Sequence, residues 1–99
     1  MLNITKTIEN NDILITLEGR LDTNTAPELD DELRKVISDA DSLTLDVEKL
    51  DYISSAGLRV LLFANRNMPN QGKMKVIHVN ETIRGIFDIT GFSDILTIE

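Results

Sequence analysis

From residue 25 onward, segments with helical spacing of apolar residues take turns with segments that alternate apolar and polar. That succession narrows the possible folds more than any other feature of the chain. Leu29, Leu33, Val36, Ile37 and Ala40 mark one buried helical face. Thr25 and Glu28, just before it, have the spacing of a capping box, and Pro27 suits the first turn. Glu28, Asp30, Asp31 and Glu32 come early in this segment and Arg34 and Lys35 late, the order that a helix dipole favours. A second helix is predicted from 56 to about 68, with Leu58, Leu61 and Leu62 as its main apolar stripe. Val60 and Phe63 lie on another side of that helix, as a strip packed on a neighbouring element or open to a partner. Asn80 is placed to cap a short third helix with Ile83, Ile86 and Phe87 on its face, and Gly91 to end it. Between the helices, Leu43, Leu45 and Val47 begin a strand that ends near Leu50. Met74, Val76 and Ile77 form the next, and 95–98 the last. Residues 69–72 read as a breaker and loop.

Two strand patterns come first: a weak alternation over 3–8, then Ile13, Ile15 and Leu17 on one face. Asn10, Asn11 and Asp12 form a turn cluster between them, which makes a hairpin. The order β-β-α-β-α-β-α-β implies parallel crossovers after the hairpin. The expected fold is a single α/β domain over 1–99, with a mixed, mainly parallel sheet edged by the N-terminal hairpin. Because most strands alternate rather than run continuously apolar, the helices are expected largely on one face. A chain of 99 residues buries roughly two-thirds of its unfolded surface, enough for an ordinary core.

Composition removes several function classes. There is no cysteine, so neither disulfides nor a thiolate metal site enter, and a reducing cytoplasm suits the chain. The net charge of −7 argues against nucleic acid or anionic lipid as a partner. Stacking platforms are scarce, with one tyrosine and three phenylalanines. The start of the chain lacks the pattern of a secretory signal, and the longest apolar run, 60–64, is far too short for membrane insertion. His78 is the single histidine. From a strand end it would have to reach Ser55 to serve as a base, and Ser55 lacks the nucleophile elbow of an esterase. No enzyme activity, catalytic residue, metal site or cofactor is expected, and no phosphate-cradling glycine motif is present.

The stretch Ser54-Ser55-Ala56-Gly57 stands where a strand gives way to a helix. Ser55, directly before the helical run, is the expected N-cap, its hydroxyl accepting from a first-turn amide. A serine at a helix start also suits a phosphate, since the free amides and the dipole there favour an anion. Ala56 and Gly57 have almost no side chain, which would let a partner's active site approach; a glycine this early in a helix otherwise costs about 1 kcal/mol relative to alanine. Asp22 is the second candidate, either a turn residue bonding nearby amides or one flank of a surface shared with Ser55.

The segments GRLDTNTAPEL (19–29), LDVEKLDYISSAGLRVLL (45–62) and RGIFDITGFSDIL (84–96) together resemble the STAS family, named for sulfate transporters and anti-sigma factor antagonists. For stand-alone bacterial members the resemblance implies partner switching that regulates transcription. The unphosphorylated antagonist binds an anti-sigma factor that is also a serine kinase and so releases the sigma factor; the kinase phosphorylates the antagonist, and a phosphatase restores it. Matching the family's Ser-x-Gly-Leu to this chain puts the acceptor at Ser55, with Ser54 as the alternative, where some members carry aspartate. Asp22 matches the family's acidic residue across the docking surface. Asp22, Thr23, Ser54, Ser55, Ala56, Gly57 and Leu58 are the expected partner-binding residues. A constitutive scaffold, or a module that binds a nucleotide, anion or lipid, is the alternative the resemblance also allows.

Overall fold

The computed structural model describes residues 1–68 and 72–99; the loop expected over 69–72 falls mostly outside the described residues. The hairpin forms as the sequence predicts. Strands β1 (Leu2–Glu9) and β2 (Asp12–Leu21) pair antiparallel across a two-residue turn in which Asn10 takes a left-handed conformation, φ 57°. The remaining strands β3 (Ser42–Ile53), β4 (Lys73–Ile77) and β5 (Thr97–Ile98) add in parallel, giving a five-stranded sheet in sequence order. Helices α1 (Ala26–Val36), α2 (Ser55–Arg66) and α3 (Glu81–Thr90) connect them. Short 3-10 turns follow α1 at Ile37–Asp39 and α3 at Phe92–Asp94.

One face of the sheet makes the core. Ile13, Ile15, Leu17, Leu43, Leu45, Val47, Met74 and Val76 are buried there against Leu29, Leu33, Leu61, Ile83 and Phe87 of the helices. Their neighbours Leu14, Thr16, Thr44 and Asp46 lie on the opposite, open face. The helices therefore sit on one side, as the alternation of the strands requires.

β3 runs three residues beyond its expected end. The β2–β3 register slips between Thr16 and Glu18 and again between Gly19 and Arg20. The buried positions of β3 change accordingly from every second residue (Leu43, Leu45, Val47) to every third (Leu50, Ile53). Asn80 secures this irregular stretch from outside the strand. Its amide nitrogen donates to the carbonyls of Val47 (3.3 Å), Glu48 (3.1 Å) and Leu50 (2.9 Å), while its carbonyl oxygen caps α3 by accepting from the Ile83 N–H at 2.9 Å. The expected helix cap is thus also a clamp on β3. Gly91 ends α3 at φ 82°. The last strand is shorter than expected, because the amides of Ile95 and Leu96 both turn back to the Phe92 carbonyl.

The Val60 and Phe63 strip is half-buried on α2. Phe63 lies under the Arg34 guanidinium of α1 at 4.2 Å, and Val60 rests against the core. Gly85, by contrast, sits mid-helix in α3 with nothing within 4 Å of the place a Cβ would occupy. Gly85→Ala is expected to stabilise the fold by about 0.5–1 kcal/mol, since alanine lowers the entropy of the unfolded chain and meets no obstacle. Urea denaturation of the two proteins checks this.

Candidate functional site

Strands β2 and β3 end side by side. Leu21 is paired with Ile53, and the Ser54 N–H donates to the Leu21 carbonyl at 2.8 Å. The next residues of each strand, Asp22-Thr23 and Ser54-Ser55, therefore emerge together at the carboxyl end of the parallel strands, where open α/β sheets place their binding crevices.

Asp22 organises the turn into α1. Its Oδ1 accepts from the N–H groups of Asn24 (3.0 Å) and Thr25 (3.1 Å) and faces the Thr25 hydroxyl at 3.2 Å; its Oδ2 stands 3.7 Å from the Arg20 guanidinium. The Thr25 amide, more than any other partner, holds the Asp22 carboxyl below the ordinary aspartate range. A carboxyl with a depressed folded-state pKa contributes stability above its unfolded value, about pH 4, and loses it as pH falls further. Asp22→Asn is expected to flatten the loss of stability below about pH 4. Urea midpoints measured from pH 6 down to pH 3 test this, and parallel curves for the two proteins would contradict it.

Thr25 stands at the N-cap position of α1 as expected, but the capping box does not close. The buried Thr25 hydroxyl instead donates to the Arg20 carbonyl at 2.7 Å and accepts from the Asp22 N–H at 2.8 Å. It is spent on holding the end of β2 against the turn. Thr23 is exposed at the tip.

The serine pair divides its work, and here the expected assignment changes. Ser54, not Ser55, is the N-cap of α2: it is still extended (φ −87°, ψ 175°), and its hydroxyl accepts from the Gly57 N–H at 3.3 Å. The strand-to-strand bond from its own N–H keeps Ser54 in line with β3 and delays the helix by one residue. Ser55 is the first helical residue. It is exposed, and among the described residues its hydroxyl makes no hydrogen bond. The N–H groups of Ser55 and Ala56 likewise find no acceptor among the described residues, the usual state of a first helical turn.

Gly57 and Leu58 face inward. A Cβ on Gly57 would lie 2.7 Å from Leu21 Cγ and 3.0 Å from Ile53 Cγ2. The glycine is thus required by close packing of α2 on the sheet end, and its bare side is not turned outward to a partner. Leu58 is part of the core. Ala56 is half-buried and lines, with Thr23, Pro27, Arg59 and Val60, an open groove of about 250 Å³ between the starts of α1 and α2.

Two residues at this edge have no signature in the sequence. Arg20 and Tyr52 are register partners, the guanidinium lying 4.6 Å from the ring centroid. They occupy the face opposite to Leu21 and Ile53, so only the register, not periodicity, brings them beside Asp22. His78 does not join the site. It follows β4 at φ 57°, with Nδ1 3.0 Å from Asp46 Oδ2 on the open face of the sheet. No group of three potential metal ligands occurs among the described residues, and no described helix is long and apolar enough to cross a membrane.

The STAS domain family matches residues 3–99 of the chain. A Bordetella bronchiseptica protein, BtrV, described as a candidate anti-sigma factor antagonist, is 32% identical over 88 residues, 87% of this chain and 76% of that one. Among solved structures, an anti-sigma factor antagonist from Mycobacterium paratuberculosis superposes with a TM-score of 0.90 at 18% identity, over 99% of this chain and 85% of the other. The Bacillus cell fate determinant SpoIIAA in its phosphorylated form superposes with a TM-score of 0.74 at 17% identity, over 100% and 91%.

Proposed function

Because the chain belongs to the STAS domain family, we propose that it is an anti-sigma factor antagonist whose docking surface is switched by phosphorylation of Ser55. The unphosphorylated chain binds an anti-sigma factor that is also a serine kinase, in the bacterial cytoplasm, and so frees the sigma factor. The kinase then modifies its own ligand, and a phosphatase reverses the modification. The observation that carries this reading is the exposed hydroxyl of Ser55, spared from capping by Ser54 and free of other bonds among the described residues. BtrV, the relative at 32% identity, is described as a candidate anti-sigma factor antagonist, which supports the antagonist part of this reading.

The chemistry belongs to the kinase, which supplies ATP and magnesium. The Ser55 oxygen attacks the γ-phosphorus, the bond from that phosphorus to the ADP oxygen breaks, and the hydroxyl proton leaves to a base of the kinase. This chain contributes the position of the hydroxyl. Phosphate adds about −1.5 to −2 charges at pH 7 to a surface that already holds Asp22. It needs no rearrangement of the fold, because the cap that starts α2 is on the neighbouring residue. Asp22, Thr23, Ser54 and Ala56 surround the acceptor as docking contacts, while Gly57 and Leu58 act from beneath by fixing where α2 begins. Incubation with the anti-sigma factor kinase of the same cell and magnesium-ATP, followed by peptide mass mapping, tests the assignment. One phosphate on Ser55 is expected; phosphate on Ser54 alone, or none while the two proteins bind, overturns it.

A further inference from the structure

Ser55 and Arg59 stand four residues apart on α2, the spacing at which side chains share one face of a helix. Both are exposed. Arg59 lines the groove between the starts of α1 and α2 together with Ala56. Of the five arginines, Arg20 and Arg34 have a carboxylate within 4.0 Å, while Arg59, Arg66 and Arg84 have none among the described residues. The two paired arginines are engaged by their own partners. Arg20 faces Asp22 at 3.7 Å and stacks on Tyr52; Arg34 holds Asp30 at 2.8 Å and covers Phe63. Among the described residues Asp30 is the one acidic side chain that lines the groove, and Arg34 occupies it. Among the described residues no carboxylate lies within 4.0 Å of the Arg59 guanidinium.

We propose that Arg59 receives the phosphate once Ser55 is phosphorylated, pinning it to the first turn of α2. The inference rests on the reading of Ser55 as the acceptor. An anionic residue followed four positions later by a cation is the favoured orientation of such a helical pair. The guanidinium presents two parallel N–H donors that match two phosphate oxygens. The unpaired first-turn amides and the helix dipole act on the same group from the other side. The phosphorylated state is then a closed surface: the phosphate lies along α2, and Arg59 is withdrawn from the groove it lines in the unmodified protein. A phosphatase must compete with Arg59 for the ester.

The full chain with phosphoserine genetically encoded at position 55 tests the pairing without any kinase. Phosphorus NMR is followed against pH for this protein and for its Arg59→Gln and Arg59→Lys forms. Arg59 is exposed, and thermal melts of each form confirm the fold. A paired phosphate gives up its second proton more readily, so Arg59→Gln is expected to raise that ionisation by about half a pH unit, roughly a threefold change in its constant. Arg59→Lys is expected to fall between, because a point charge replaces the two-pronged contact. Superimposable titrations of the parent and Arg59→Gln forms overturn the pairing while leaving Ser55 as the acceptor. Failure of the kinase to label Ser55 in the unmodified chain overturns the switch itself and, with it, the role given to Arg59.

Discussion

Ser55→Asp is expected to weaken capture of the anti-sigma factor at least tenfold, while Ser55→Ala stays within about twofold of the parent chain. The difference is electrostatic. A carboxylate at the first position of α2 enters the contact as an added negative charge, stripped of water and next to Asp22, and like charge across a docked surface costs several kcal/mol. Each 1.4 kcal/mol is a factor of ten in affinity. Aspartate carries one charge where phosphate carries nearly two, so its effect is a lower bound on that of phosphorylation. Alanine removes only a hydroxyl that makes no bond among the described residues. Ser54→Ala separates the two duties of the pair: it removes the cap on the Gly57 amide and is expected to cost about 1 kcal/mol of stability. Equilibrium binding by surface plasmon resonance, set beside urea denaturation, distinguishes the variants. Equal affinity for Ser55→Asp and Ser55→Ala would remove charge from the mechanism.

Much of the fold is legible in the sequence, and the exceptions have particular causes. The helices are set by periodicity, and the ends of α3 by Asn80 and Gly91, residues whose cap and left-handed turn are local properties. The end of β3 was not legible, because its buried spacing changes from two to three where the register slips, and a slip belongs to the pair of strands rather than to either one. The serine pair shows the same limit on a smaller scale. Both side chains can cap, and what decides between them is the bond from the Ser54 amide to Leu21, a residue more than thirty positions away by the numbering. Thr25 had the right position for its cap, yet the Arg20 carbonyl at the end of β2 takes its hydroxyl. Arg20 and Tyr52 meet only through register. The inward direction of Gly57, however, could have been read: it is in phase with Leu61 and Ala64, four and seven residues later, on the buried face of α2.

Gly57→Ala is the largest stability loss expected from a change near the site, and its sign depends on two opposed effects. Alanine in place of glycine favours a helix by about 1 kcal/mol. The added methyl would stand 2.7 Å from Leu21 Cγ and 3.0 Å from Ile53 Cγ2, too close for either. Neither neighbour can yield cheaply, since Leu21 is fully buried, Ile53 nearly so, and both are held in paired strands. Overpacking of such a core costs typically 1–3 kcal/mol and sometimes more. With contact at Cγ, the branch point of the leucine, the cost is set toward the upper end and outweighs the gain in propensity, leaving a net loss of about 2 kcal/mol. In a domain of this size that lowers the melting temperature by roughly 8–16 °C. Gly85→Ala, the same substitution with open space around it, moves in the opposite direction and isolates packing from propensity. Relief of the clash also requires α2 to lift from the sheet end, which displaces Ser55 relative to Asp22. Labelling by the kinase is therefore expected to slow in Gly57→Ala even at temperatures where it remains folded. Thermal melts and initial labelling rates measure the two consequences separately, and a Gly57→Ala protein as stable as the parent would show that α2 is not held against Leu21 and Ile53 as described.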